Sequence, residues 1–262
     1  MESTSGPSPI GIERHGLVTL VELRQPPNNF FDLGLLTRIA DAFEAADADP
    51  GCRAIVLAAQ GTVFCAGADF AARSEDPNST QSAGAHPLYS QALRMFRAAK
   101  PVVAAVQGPA VGGGLGLALV GDFRVSCAEA RFSANFNRLG IHPGFGLSVT
   151  LPRLVGIQQA ALLFYTGRRI GGAEALRIGL VDELVHQDQV RERAMALAEE
   201  IAGSAPSAVQ ATRASLRQGL ADAVQAATER EAGLQAQQFK TEDFREGVAA
   251  MAERRTPRFQ GR

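Results

Sequence analysis

Residues 101–121 narrow most sharply what this chain can become: PVVAAVQGPAVGGGLGLALVG contains no charged side chain, six glycines and two prolines. The stretch is just long enough to cross a bilayer as a helix. Internal glycine and proline break helices, however, and Gln107 lies inside the run. It therefore reads as a buried strand, a tight glycine turn and a short helix, and not as a membrane span. Such a segment must be enclosed by a sizeable core, which 262 residues, 46% of them hydrophobic, can supply.

The flanking sequence supports an α/β domain. Residues 17–23 (LVTLVEL) alternate as a strand, and after the PPNN turn Leu35, Leu36, Ile39 and Phe43 recur at helical spacing within 33–48. Asp32 stands where an N-cap belongs. Residues 53–59 (RAIVLAA) and 101–106 (PVVAAV) are short apolar runs suited to strands buried on both faces. Strands alternating with helical segments over 16–185 argue βα crossovers. From residue 187 the chain turns Ala-rich, charged and helical in pattern, with a break at 203–206; such helices bury too little alone and need a partner surface, from their own core or from a neighbouring subunit. The expected organisation is a flexible N-terminus over 1–12, an α/β core over 13–186, and a helical C-terminal region over 187–262.

A net charge of -1 provides no field for a polyanion, and no long basic run tracks a phosphate backbone, so nucleic acid is not an expected partner. Cys52, Cys65 and Cys127 are odd in number, with no CxxC pair, which argues against a disulfide framework or a zinc site and for a reducing compartment. MESTSGPSPI lacks the basic and apolar regions of a secretory signal, and the expected location is the cytoplasm. Residues 71–87 are polar and rich in Pro, Gly and Ser; they read as a lid or binding loop, or as a surface excursion.

Two segments share one design, a buried strand entering a glycine-rich turn: VFCAGADF at 63–70 and GPAVGGGLGLALVGD at 108–122. A helix starting at Gly113 would aim free N–H groups outward and make an anion site. Phosphate readings fail in detail, because no GKS or GKT follows and Leu119 stands where a G-x-G-x-x-G motif needs its third glycine. No G-x-S-x-G elbow occurs. Two readings remain: glycines for tight strand-to-helix packing, or two turns whose N–H groups grip one oxygen.

The segments LRQPPNN, VFCAGADF, KPVVAAVQGPAVGGGLGLAL, RFSANFNRLGIHPG, LPRLVG, TGRRIGGAEALRIGLVDELV and TEDFREGVAAMAERRTPRFQGR resemble, in order, landmarks of the enoyl-CoA hydratase/isomerase (crotonase) family. The resemblance implies a spiral of ββα turns, a helical C-terminal trimerisation region, trimers or hexamers as dimers of trimers, and an acyl-CoA substrate with coenzyme A as part of it, without a permanently bound cofactor or metal. By matching positions it implies that the backbone N–H groups of Ala68 and Gly113 form an oxyanion hole for a thioester enolate. Coenzyme A contacts carry over to Ala66, Arg24, Phe259 and Arg262, although PPNN stands where many relatives place a basic residue.

The chain departs from that family's pattern at the acid/base positions. Gly116 and Phe136 stand where hydratases carry glutamates, and Gly144 where some isomerases and dehalogenases carry an aspartate. Each missing carboxylate is worth roughly 10² to 10⁴ in rate for its proton transfer, which argues against glutamate-dependent hydration. His142 is the nearest titratable side chain, a candidate acid/base or else a hydrogen-bonded turn residue. Phe136 and Phe145 floor an acyl pocket or belong to the core, Asp69 caps or stabilises its turn, and Cys65 reads as a packing residue. Three functions stay open: an acyl-CoA enzyme with an unusual proton-transfer residue, a CoA-ester binding protein with little turnover, and a CoA-independent β-diketone hydrolase. The last draws on His142 and on Glu75 or Asp76.

Overall fold

The apolar runs assemble side by side. The structure, a computed structural model, describes residues 8–69 and 86–262. Its strands are β1 (Ile10–His15), β2 (Val18–Leu23), β3 (Ala54–Ala59), β4 (Val102–Val106), β5 (Ala110–Val111), β6 (Phe123–Ser126), β7 (Arg131–Ser133), β8 (Arg169–Gly171) and β9 (Glu183–Leu184). The main sheet has the order β1-β2-β3-β4-β6-β9 and the smaller one β5-β7-β8. Within the main sheet only the β1–β2 pair is antiparallel; β2 through β9 run parallel. Parallel strands are covered on both faces and read as unbroken apolar runs, as β3 and β4 do.

The helices are α1 (Leu33–Ala48), α2 (His86–Phe96), α3 (Gly113–Ala118), α4 (Leu147–Thr166), α5 (Gly172–Arg177), α6 (Val190–Ala202), α7 (Pro206–Leu216), α8 (Leu220–Gln238) and α9 (Glu242–Ala252), with a 3-10 turn at Asn135–Leu139. Asp32 caps α1 by accepting the Leu35 N–H at 2.7 Å, and Leu35, Leu36, Ile39 and Phe43 are buried, as the spacing requires. The stretch 101–121 divides into β4, β5 and α3, the strand, turn and short helix expected of it.

Two expectations are modified, and a third, open between two alternatives, is decided. Every residue of β2 is buried, including Thr19 and Glu22, so its alternation marks no exposed face; it is an inner strand, with α1 and α6 packed on it. Strand β1 begins at Ile10, inside the segment expected to be flexible. The Ala-rich α6 also finds its partner surface within the chain: it lies on β2, β3, β4 and β6 and buries Ala194, Ala198 and Ala202 there. Helix α8 packs on α2 and α4, and α9 on the 3-10 turn. The interrupted C-terminal helices therefore buttress the core, and the break at 203–206 separates α6 from α7.

Among the described residues one helix, α4, is long and apolar enough to cross a membrane by length and composition. Gly156, at φ 77° and ψ 157°, interrupts its helical backbone midway. A buried ionic network ties α7 to the sheet: Asp122 accepts from Arg213 and Arg217, while Arg124, 1% exposed, pairs with Asp182.

Candidate functional site

The two glycine turns lock together through their backbones. Cys65 bridges Ala110 and Phe31 bridges Ala68. The Cys65 N–H donates to Pro109 O at 3.1 Å, and the Val111 N–H donates to Cys65 O at 3.0 Å. Gly67 has φ +85°, and a side chain there would come within 2.9 Å of Val111 O and 3.3 Å of Gly113 N. At Gly114 a Cβ would lie 2.0 Å from Cys65 O. Glycine is thus required at both positions by close backbone approach, and Gly113 N is brought alongside the bend that leads into Ala68.

Most N–H groups of these turns are used. Ala66 N donates to Asn28 O at 3.0 Å and Gly112 N to Ser133 O at 2.8 Å, while the Gly67 N–H faces the Cys65 sulfur. No acceptor among the described residues takes the N–H of Ala68 or of Gly113, the first residue of α3. Unpaired backbone donors in a half-buried place are rare without a purpose. Because the Ala66 N–H is committed to Asn28, only its carbonyl is left for a ligand.

Aromatic rings wall the face of α3 that carries Gly113 and Gly116. The Phe31 ring lies over Gly113, its Cζ 2.5 Å from where a Cβ would stand. Phe145 fills the room at Gly116, with its Cβ, Cγ and Cδ1 at 2.7–2.8 Å from that position. The Phe31 and Phe145 rings are 5.5 Å apart, and Tyr89 meets Phe145 edge-on at 6.5 Å. Phe136 is buried beneath Gly112, its Cζ 3.8 Å from the glycine's Cβ position. Phe145 has φ +64°, an unusual backbone for an aromatic residue, and it sits between Gly144 and Gly146.

The third missing carboxylate position is occupied as well. A Cβ at Gly144 would lie 1.8 Å from the Tyr89 hydroxyl oxygen and 2.8 Å from Gln235 Nε2. Tyr89 donates to Gln235 Oε1 at 2.7 Å, and Gln235 Nε2 donates to His142 O at 2.7 Å. The His142 N–H donates to Gln238 Oε1 at 2.7 Å. Nδ1 of His142 stands 2.7 Å from Pro143 O; a carbonyl only accepts, so Nδ1 donates there and Nε2 is the other ring nitrogen. Glu231 accepts from Gly146 N at 2.8 Å, Ser148 N at 3.1 Å and Ser148 Oγ at 2.6 Å. Burial raises its pKa above the usual carboxylate value, and the Ser148 and Gly146 donors oppose that rise.

Sequence reasoning missed Phe31, Tyr89, Glu231, Gln235 and Gln238. Nothing local marks them, although Glu231, Gln235 and Gln238 at helical spacing form a polar face on α8 that could have been read as a contact surface. The residues matched to coenzyme A contacts are engaged within the chain. Arg24 donates to Glu22 at 2.7 Å and Glu13 at 2.6 Å. Arg262 pairs with Glu242 at 2.9 Å and Phe259 lies half-exposed in the same tail, which folds back on α9. Glu75, Asp76 and residues 71–85 of the loop expected over 71–87 lie outside the described residues, while positions 86 and 87 belong to α2 and not to a loop. Burial pushes the Cys65 thiol up to about 12, which fits packing and not nucleophilic attack. The three cysteines are free and buried, and no group of metal-ligating side chains occurs among the described residues.

Comparison with known proteins agrees with this architecture. The family profile described as enoyl-CoA hydratase/isomerase matches residues 13–262. The chain is 34% identical over 252 residues to the 2,3-dehydroadipyl-CoA hydratase of Escherichia coli, covering 96% of this chain and 98% of that one. It is 33% identical over 251 residues to the crotonyl-CoA hydratase of Syntrophomonas wolfei, covering 95% and 96%. The crystal structure of carnitinyl-CoA hydratase from Mycobacterium avium superposes with a TM-score of 0.87 at 32% identity, covering 98% of this chain and all of the other. Two interlocked glycine turns, the spiral sheet that carries them and similarity along almost the whole length converge on one conclusion: the chain belongs to the enoyl-CoA hydratase/isomerase family.

Proposed function

We propose that this protein binds an acyl-CoA thioester and stabilises its enolate with the N–H groups of Ala68 and Gly113. One observation carries the reading: both donors are left without an acceptor among the described residues, in two turns held backbone to backbone. An enolate concentrates negative charge on the thioester oxygen, and preorganised donors favour that charge over the neutral ground state. The proton is moved by something other than the glutamate pair, since Gly116 and Phe136 provide none and Phe145 fills the first position. His142 is the proposed acid/base, acting through Nε2 while Pro143 O holds the other nitrogen. The buried, unpaired cysteines favour a cytoplasmic setting. Exposed apolar side chains, Ile157 at 74% and Tyr165 at 81%, favour self-association as a trimer or dimer of trimers.

The test is calorimetric titration with acetyl-CoA, followed by turnover of crotonyl-CoA and 3-enoyl-CoA thioesters by the wild type and by His142→Ala. Binding with histidine-dependent turnover is the expected result. The absence of a carboxylate at all three positions, with Phe145 filling the space at Gly116 and the Tyr89 hydroxyl and Gln235 amide the space at Gly144, favours one second reading, a CoA-ester binding protein with little turnover, and binding without turnover in either protein would establish it. Absence of coenzyme A affinity would end both.

A further inference from the structure

We infer that Phe145 sets the length of the acyl group this site accepts and restricts it to short chains; the inference rests on the acyl-CoA reading of the two glycine turns. Gly113 and Gly116 lie one turn apart on the same side of α3, so what covers Gly116 stands about 5 Å along the helix from the proposed oxyanion donor. Phe145 covers it: its Cβ and ring atoms come within 2.8 Å of the absent side chain, and the residue is 0% exposed. The ring is braced by Phe31, which itself covers Gly113, and by Tyr89. Its backbone is fixed at φ +64° by the hydrogen bonds that Glu231 accepts from Gly146 and Ser148, immediately after it. A side chain so held cannot swing aside for a ligand as a free rotamer would.

The consequence concerns the space next to the reacting carbonyl. A thioester whose oxygen lies between Ala68 N and Gly113 N must send its acyl chain along the aromatic wall. A short acyl group gains apolar contact with Phe31, whereas a long chain is stopped by the packing of the buried Phe145 ring where a passage would have to run. Truncating the ring would open a channel of comparable carbon count lined by apolar atoms. The preference would then invert, because each methylene buried in such a channel is worth about 0.8 kcal/mol, roughly four-fold in affinity.

The experiment is a titration of the full-length wild type, Phe145→Leu and Phe145→Ala with free coenzyme A and with acetyl-, butyryl-, hexanoyl- and octanoyl-CoA. The wild type is expected to bind octanoyl-CoA no tighter than butyryl-CoA. Phe145→Ala is expected to bind octanoyl-CoA at least about 10-fold tighter than butyryl-CoA, with free coenzyme A affinity within about 3-fold of the wild type. A wild type that already prefers octanoyl-CoA 10-fold, or variants that keep the wild-type ratio, would overturn the inference while leaving the acyl-CoA reading intact. Loss of free coenzyme A and acetyl-CoA binding in the wild type would instead overturn the acyl-CoA reading and the inference with it. Should Phe145→Ala fail to fold, the wild-type series and Phe145→Leu decide the matter, since leucine keeps most of the packing and shortens the plug by several atoms.

Discussion

Gly116 and Phe145 behave as one unit, because the space denied to a side chain at the first is the space filled by the second. A glycine inside a helix is ordinarily worse than alanine by about 0.5–1 kcal/mol, so its presence in α3 requires a local reason. The reason is steric, and it makes a prediction. Gly116→Ala in the wild type is expected to destabilise by about 1–3 kcal/mol through overpacking against Phe145. In a Phe145→Ala background the same change is expected to be neutral or stabilising, a coupling of at least about 1 kcal/mol. Urea unfolding of the four proteins measures it, and additive effects would contradict the contact. The same geometry explains why restoring a glutamate at 116 alone is not expected to restore hydration: the carboxylate would have no room to enter.

At the scale of elements, the polar face of α8 holds the loop that carries His142 and Phe145. Gln238 and Gln235 take the two backbone groups of His142, and Glu231 takes those of Gly146 and Ser148. Glu231→Ala would leave those donors unsatisfied and is expected to destabilise by about 2–3 kcal/mol. Its pH dependence has a definite sign. Burial raises the Glu231 pKa above 4.5 in the folded state, so between 4.5 and that raised value the folded chain binds the proton more tightly than the unfolded one. Stability contributed by this residue therefore falls as pH rises through that window and is level above it. The difference in unfolding free energy between wild type and Glu231→Gln, measured from pH 4 to 7, should decline with pH; a rising difference would reverse the assignment. This element also shows where sequence reading stops. Helix α1, its Asp32 cap, and strands β3 and β4 were legible because cap chemistry and hydrophobic period are local. The glycine turns were legible as places of close backbone approach, because glycine runs after apolar strands are a local signal. The contacts of Tyr89 with Gly144 and Gln235, and of Phe145 with Gly116, join residues far apart in the chain, and no period or motif encodes them.

The whole molecule is closed by its last residues, which return to the start of α9. Asp243 accepts from Gln260 N at 2.6 Å and Gly261 N at 2.8 Å, and its own N–H donates to Arg262 O. Glu246 accepts from Arg258 N at 2.7 Å and from Arg255 at 2.5 and 2.8 Å. The Arg255 guanidinium, and after it the Arg258 N–H, hold the Glu246 carboxyl down to about 2. A lowered native pKa means the docking is fully supported above about 4.5 and weakens as pH falls toward 2, so at neutral pH the tail is held by an ionised carboxylate. Glu246→Gln keeps the size of the side chain and removes the charge that engages Arg255. It is expected to raise the rate of tryptic cleavage after Arg258 several-fold at pH 7, with the cooperative unfolding of the core unchanged, because exposed ion pairs contribute little to global stability but do hold mobile ends in place. If Phe259 and Arg262 reach coenzyme A from this docked position, as their matching to the family proposes, the same variant should also weaken coenzyme A binding. Faster cleavage with unaltered affinity would separate the two roles and leave the tail as a brace for α9 alone.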